Sequence, residues 1–483
     1  MKRIKYIIFI AIVSVFVSCD TEEFLNPLPD TVVAVDSFFQ TDEDVLAGII
    51  GIYDALQGVN ENTQSNIGNV NRGVQFEHLL TEHRTDNTRN NTLEGSKSDF
   101  HRYIVNANNV ESEDYYASMY EVIFRANNII DFIDVANPEN QASYEAEAKF
   151  LRAYAYFKLV RLYSDVPLVT EVVGPTDDEV LFTRRSEADV YAQIVEDLQE
   201  AITVLDNSFK ARASRAAAQA VLAKVYMTQP TRNYAGARQL CEAIMNSGDY
   251  SLEENYEDVF YDELNNEIIF AIQYAPGNPL ESQSFSSEFT AAFRQGREDG
   301  QNIVNQNLVN DFAAAGGVRT DLSFITLGNS VEVIKFLPEG SDISVFPPTY
   351  GDNARNAGND YIAIRYADVL LMHAEATIAE GTSTTDPVSL NAFQQIRDRA
   401  FPATAPNSIS SISKSELLLE RRVELAFENQ RWFDLLRFGV AEQVLSDHSN
   451  EMGYVFTARA LLLPIPAREI NISGGRLTQN PGY

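Results

Sequence analysis

Apolar positions recur with a helical period through most of the chain. Ala237, Leu240, Cys241, Ile244 and Met245 fall at i, i+3, i+4, i+7 and i+8 and form one stripe. Ala367, Leu370, Leu371, Ala374 and Ile378 do the same, as do Leu151, Ala155, Leu159 and Leu162 in an aromatic-rich stretch. The pattern predicts helices over 42–57, 112–135, 187–206, 214–228, 233–247, 361–380, 388–400 and 415–428. Thr41-Asp42, Ser186-Glu187 and Ser413-Lys414-Ser415-Glu416 offer side-chain oxygens to the free N–H groups of a helix start. Gly174, Gln229-Pro230 and Gly381 mark stops.

Two helix pairs carry short turns, 214–228 with 233–247 and 361–380 with 388–400. Ala216, Ala217, Ala218, Ala220, Ala223 and Ala237 let two backbones approach closely. Each pair looks like a tetratricopeptide unit of about 34 residues, so the fold expected is mostly α. Three stretches break the period: 58–110, rich in Asn, Gly, Thr and Arg; 250–360, with β-like runs at Ile268–Gln273 and Val331–Leu337; and 439–483, which ends Pro-rich. Long irregular insertions in a packed scaffold are usually binding surfaces.

The N-terminus sets the compartment. Lys2, Arg3 and Lys5 precede an apolar stretch from Tyr6 to Val17, too short for the ~20 residues of a bilayer span but suited to a secretory signal. Ser18-Cys19-Asp20 follows and resembles a bacterial lipobox, with Phe16 where Leu is usual; the resemblance implies cleavage before Cys19 and acylation of its thiol. Cys241 then has no partner for a disulfide. Residues 1–18 are read as signal peptide and 19–37 as a lipidated tether. Asp20, Glu22 and Glu23 resemble the export signal of lipoproteins displayed outside the outer membrane.

Charge narrows the partners. With 37 Lys+Arg against 69 Asp+Glu and a net charge of -32, the chain lacks the clustered cations that phosphate neutralisation needs, which excludes nucleic acid. No HExxH, P-loop, GxSxG or EF-hand loop appears, so no metal or cofactor is expected, and no catalytic constellation stands out among the carboxylates. His78 and His83 are five apart, which does not set two ligands on one helix turn, and His373 reads as a core or helix-face histidine. One charged constellation does stand out: Glu420, Glu424 and Glu428 on one helix face, followed by Arg431, Asp434 and Arg437. It reads either as a polar active site or as a semi-buried ion-pair lattice joining two consecutive helices; interleaving with Leu425, Phe427, Leu435 and Leu436 favours the lattice.

The run Glu-Arg-Arg-Val-Glu-Leu-Ala-Phe-Glu-Asn-Gln-Arg-Trp-Phe-Asp-Leu-Leu-Arg at 420–437 closely resembles the signature of the SusD/RagB family of outer-membrane nutrient-binding lipoproteins. Residues 361–376, Glu147–Tyr163 with its run Lys149–Phe157, and the ending Leu463-Pro-Ile-Pro followed by Glu469 and Gln479-Asn-Pro-Gly-Tyr483 are similar to further motifs of that family, in the same order. The resemblance implies one domain over 38–483: a tetratricopeptide-like α-superhelix (about 42–57, 112–247 and 361–438) with inserted loops and a few short strands. Binding would come from insertions at about 58–110 and 250–360. It also implies capture of oligosaccharides, or in some members peptides, as a lid on a SusC-like TonB-dependent transporter, with no catalysis. Under that reading the ligand-facing candidates are Asn69, Asn71, Arg72, Glu77, Arg84, Asp86 and Asn87 in the first insertion and Tyr274, Phe285, Phe289 and Tyr350 in the second. The only Trp, Trp432, lies in the helical signature, so a tryptophan platform for starch is missing. The competing reading is a surface-anchored glycoside hydrolase or peptidase on a helical scaffold.

Overall fold

A computed structural model describes residues 38–58, 72–174, 177–289, 300–337, 341, 356–403 and 408–483. Cys19 with its signal and tether, Asn69, Asn71 and Tyr350 lie outside these residues.

The first half is helical. Helix α1 (Asp42–Gln57) opens on a capping box, in which Thr41 Oγ1 accepts from Asp44 N and Asp44 Oδ2 accepts from Thr41 N at 2.8 Å. It is followed by α2 (Val110–Asp131), α3 (Pro138–Tyr163), α4 (Glu187–Val204), α5 (Arg215–Thr228) and α6 (Tyr234–Met245). Pro138 starts α3, where its missing N–H costs nothing. From Ala146 onward α3 is buried almost all round, because α1, α2, α4 and α5 pack against it. Its charged residues are therefore paired: Arg152 makes a two-pronged contact with Asp197 at 2.7 and 2.8 Å, and Lys158 reaches Glu77 at 2.6 Å. The expected stop at Gly174 is not used; α3 ends at Tyr163, where Ser164 turns the chain at φ 60°.

The second half mixes short strands with helices. Thr88–Arg89 (β1), Ile303–Val304 (β3), Phe324–Leu327 (β4) and Ser330–Val333 (β5) form an antiparallel sheet in the order β1-β3-β5-β4, while Ile268–Ile272 (β2) pairs with Tyr361–Arg365 (β6). Helix α7 (Gln306–Ala315) precedes the β4–β5 hairpin. Helices α8 (Tyr366–Ile378), α9 (Pro387–Ala400), α10 (Lys414–Glu424), α11 (Arg431–Arg437) and α12 (Ala441–Met452) complete the scaffold. Two expectations are corrected. Residues 361–365 are a strand, not the first turns of a helix, because antiparallel pairing with the fully buried β2 wins over helical period. The region after 439, expected to be irregular, contains α12.

The helix over 415–428 stops at Glu424, and left-handed Phe427 (φ 69°) and Asn429 (φ 62°) turn the chain before α11. Glu428 therefore does not share a helix face with Glu420 and Glu424, and the lattice is wider and deeper than two consecutive helices. Glu424, fully buried, receives Arg319, Arg365 and Arg399, each at 2.7 Å. Arg319 also holds Glu420 at 2.7 Å, and Arg365 joins Glu428 and Glu267, both at 2.7 Å. Lys335 reaches Glu428 at 2.6 Å, Arg431 grips Asp86 at 3.0 Å, and Arg437 joins Glu375 to Asp434. Arg421 sits 2.9 Å from both Asp368 and Asp434 as an ion pair without hydrogen-bond alignment.

Burial opposes ionisation of Glu424, yet Arg399, Arg365 and Arg319 hold its carboxyl well below the usual range. Arg365→Ala should strand Glu424 and Glu428 and lower stability by about 3–5 kcal/mol, read as the urea midpoint. Because the folded carboxyl is depressed, its contribution is present above the unfolded carboxyl range and is lost progressively as pH falls from that range through the lower folded value. A variant within about 1 kcal/mol of the parent would show that water, not protein, compensates these charges.

Candidate functional site

The stems of the insertions meet at one place. Gln57, the last residue of α1, donates through Nε2 to Gln273 O at 2.9 Å and Glu281 O at 3.2 Å, and its carbonyl accepts from Gln75 Nε2 at 3.0 Å and Tyr274 Oη at 2.7 Å. A side chain at Gly58 (φ 77°) would collide with the backbone of Arg72, and one at Gly73 (φ 47°) with the carbonyl of Leu56. Residues 58 and 72 therefore form a neck that only glycine permits. Gln283 and Ala357 exchange backbone hydrogen bonds at 3.0 and 2.9 Å, which sets the segment before Phe289 against that after 355.

Inside this convergence lies a cavity of about 20 Å³ walled by His78, Phe285, Phe289, Phe336, Asp360 and Tyr361, among others. Phe289 packs 4.7 Å from the His78 ring and 6.2 Å from Phe336 by ring centroids. That volume admits a water and not a sugar ring. Burial pushes the Asp360 carboxyl up to about 7.

The placement of the expected ligand-facing residues is a correction. Arg72 is half-buried and held by Glu111 and, at 3.0 Å, by Asp114. Glu77 is bonded by Lys158 at 2.6 Å and Tyr361 Oη at 2.7 Å. Arg84 lies 3.8 Å over the Trp432 ring and donates to the carbonyls of Leu80 and Ala460. Asp86 is clamped by Arg431 and Arg422, and Asn87 links Arg422 Nε (2.9 Å) to Glu82 Oε2 (3.0 Å). Tyr274, Phe285 and Phe289 are no more than 5 % exposed. From Glu77 on, none of these side chains offers a face to a ligand, because distant cations and aromatic rings enclose them. The polar composition that resembled a loop surface belongs to a buried seam.

Sequence reasoning also missed a histidine cluster. His78, His83 and His101 follow one another at ring-centroid distances of 5.3 and 6.5 Å, all buried, with Nε2 of His78 and both ring nitrogens of His101 lacking hydrogen-bond partners. Burial, with the field of Lys97 for His78 and of Arg89 and Arg102 for His101, lowers both of these to about 3. Among the described residues no group of three or more His, Cys, Asp or Glu is placed to hold a metal ion. His373 is buried, 3.0 Å from Ser389 Oγ and 3.3 Å from Glu242.

Two family models match: the SusD family over residues 336–483, and a family described as starch-binding associating with outer membrane over residues 23–227. SusD-like protein P2 of Formosa agariphila is 28% identical over the full length of both chains. A laminarin-binding SusD-like protein shares the fold at TM-score 0.74 and 24% identity, covering 92% of this chain and 100% of its own. Surface glycan-binding protein A from Bacteroides thetaiotaomicron, solved with laminarihexaose, does so at TM-score 0.71 and 20% identity over 91% and 99%. These matches together support assignment of the chain to the SusD/RagB family. Among the described residues no helix is long and apolar enough to cross a membrane.

The buried histidines predict acid sensitivity. Below about pH 6.5 the unfolded chain takes up protons that folded His78 and His101 refuse until about pH 3, so stability falls as pH drops through that window. His101→Phe should make the loss shallower by up to about 1.4 kcal/mol per pH unit, measured by urea unfolding at a series of pH values. An unchanged slope would mean that the imidazole is not the group titrating.

Proposed function

We propose that this chain is a lipid-anchored surface protein that captures oligosaccharides and passes them to a SusC-like TonB-dependent transporter, without performing chemistry on them. The observation that carries the reading is the neck at Gly58 and Gly73 beside the Gln283–Ala357 bridge. The stems of separate insertions come close there, which supports a binding surface shared between them. Support comes from the family description that couples starch binding to the outer membrane and from the glycan-binding proteins that share the fold. A β-glucan of the laminarin type is the first ligand to test. Capture need not be tight, since a slow off-rate would delay delivery.

Because the two ends of 59–71 meet at the neck, a short glycine linker can replace that segment without straining α1. Such a variant should keep its melting temperature and lose glycan affinity by at least about tenfold in calorimetric titration. The panel should include laminarihexaose, starch oligosaccharides and peptides, with products analysed afterwards. Retained affinity would move the site away from the first insertion, and cleavage of any ligand would favour a hydrolase. Cys19→Ser should release the protein from the membrane fraction; a variant that stays there and still incorporates fatty acid would end the lipobox reading.

A further inference from the structure

The cavity at the stems of the insertions presents acceptors that no donor answers. His78, one of its walls, is buried, and its ring donates to the backbone carbonyl of Gln75. Nε2 is the nitrogen without a partner, so Nδ1 carries the proton and Nε2 keeps a lone pair. Burial and the field of Lys97 hold the ring neutral down to about 3, and Nε2 stays an acceptor at neutral pH.

Asp360 lines the same space and is half-buried. Its Oδ1 accepts from Tyr274 N at 3.1 Å, and among the described residues no cation pairs with it. Glu263 nearby adds only repulsion. Glu428, also in the lining, is already answered by Arg365 at 2.7 Å and Lys335 at 2.6 Å. Tyr361 spends its hydroxyl on Glu77 at 2.7 Å. The rest of the wall is aromatic: Phe285, Phe289 and Phe336 stand 5.9, 6.2 and 6.3 Å from one another by ring centroids.

We infer that this cavity receives a primary ammonium group, the amine of a captured ligand such as an amino sugar or a lysine side chain. A cavity of about 20 Å³ takes one water-sized body, and an –NH₃⁺ head is of that size. It brings three donors and no acceptor, one for the Nε2 lone pair and another for the Asp360 carboxylate. Aromatic faces attract its charge, whereas a water molecule gains nothing from them. A sugar hydroxyl could donate to His78 but brings no charge to Asp360. Half-buried Asp360 and Phe336 leave the small head a way in from solvent, with the rest of the ligand outside. The inference rests on the capture reading for the molecule that carries the amine, and it narrows that reading to amine-bearing ligands.

The test uses ammonium ion as the probe on the full chain, with tetramethylammonium as a cation too large for the cavity and without N–H donors. At fixed ionic strength and about pH 8, ammonium chloride should raise the melting temperature saturably and tetramethylammonium chloride should not. Burial holds the Asp360 carboxyl up at about 7, so ammonium should bind about tenfold more weakly at about pH 6, where that carboxyl is mostly protonated and His78 is still neutral. Asp360→Asn, which can still accept from Tyr274 N, should weaken ammonium at least about tenfold at the higher pH and remove the pH dependence. Equal responses to the two cations overturn the inference, as does an ammonium response unaltered in Asp360→Asn. If that variant does not fold, the comparison of cations on the parent decides alone. Chitosan oligosaccharides and lysine-bearing peptides, each against its N-acetylated form, separate the two sources of the amine. The free amine should be preferred at least about tenfold in one of them, and no preference in either overturns the inference. Ammonium bound with no glycan or peptide bound ends the capture reading instead, while laminarihexaose bound without any ammonium response keeps that reading and ends this one.

Discussion

The constraint on which the rest of this structure depends is that a buried charge must meet its opposite. Glu424 is fully enclosed, and three guanidiniums from three different segments converge on it: Arg319 after α7, Arg365 at the end of β6 and Arg399 in α9. None of these positions is adjacent in sequence, so the carboxylate can be buried only when all of them have arrived. The same logic extends outward through Glu428 and Lys335, Asp86 and Arg431, and Glu375 and Arg437. Apolar burial makes the helices pack, whereas the ionic network dictates which strand, hairpin and loop must sit where. Directional pairing of this kind discriminates against slipped arrangements that hydrophobic contact alone would tolerate.

That network ties the insertions to the scaffold. Asp86 and Glu82 come from the first insertion, and both are anchored where α10 gives way to α11: Asp86 by Arg431 at the start of α11 and Glu82 by the backbone N–H of Asn429 at 3.0 Å. Lys335, from the second, reaches Glu428 and the carbonyl of Ala426. The turn carrying left-handed Phe427 and Asn429 is thus contacted by both insertions at once. A conformation that costs energy locally persists because charged groups from several directions hold it.

Much of the scaffold was legible in the sequence because its signals are local. The caps at Thr41, Ser186 and Ser413 and the stripes of α3, α6 and α8 state their helices within a few turns. The SusD/RagB signature was legible for a related reason: residues 420–437 supply one side of the ionic network in a single contiguous run. What was not legible depended on pairing at a distance. Nothing in the sequence around Arg84, Asp86 and Asn87 tells that Trp432, Arg431 and Arg422 will cover them. A polar insertion and a buried polar seam have the same composition, and only the partner distinguishes them. Strand 361–365 was misread likewise, since its partner lies at 268–272.

The division of labour follows from these energetics. Changing a residue of the network leaves an opposite charge stranded, so those positions are poor places on which to vary specificity. At the Gly58–Gly73 neck, by contrast, the constraint is the close approach of two backbone segments, which a Cβ at either glycine would block. The helical frame is therefore fixed in two ways, by ion pairs that admit few replacements and by a neck that admits only glycine.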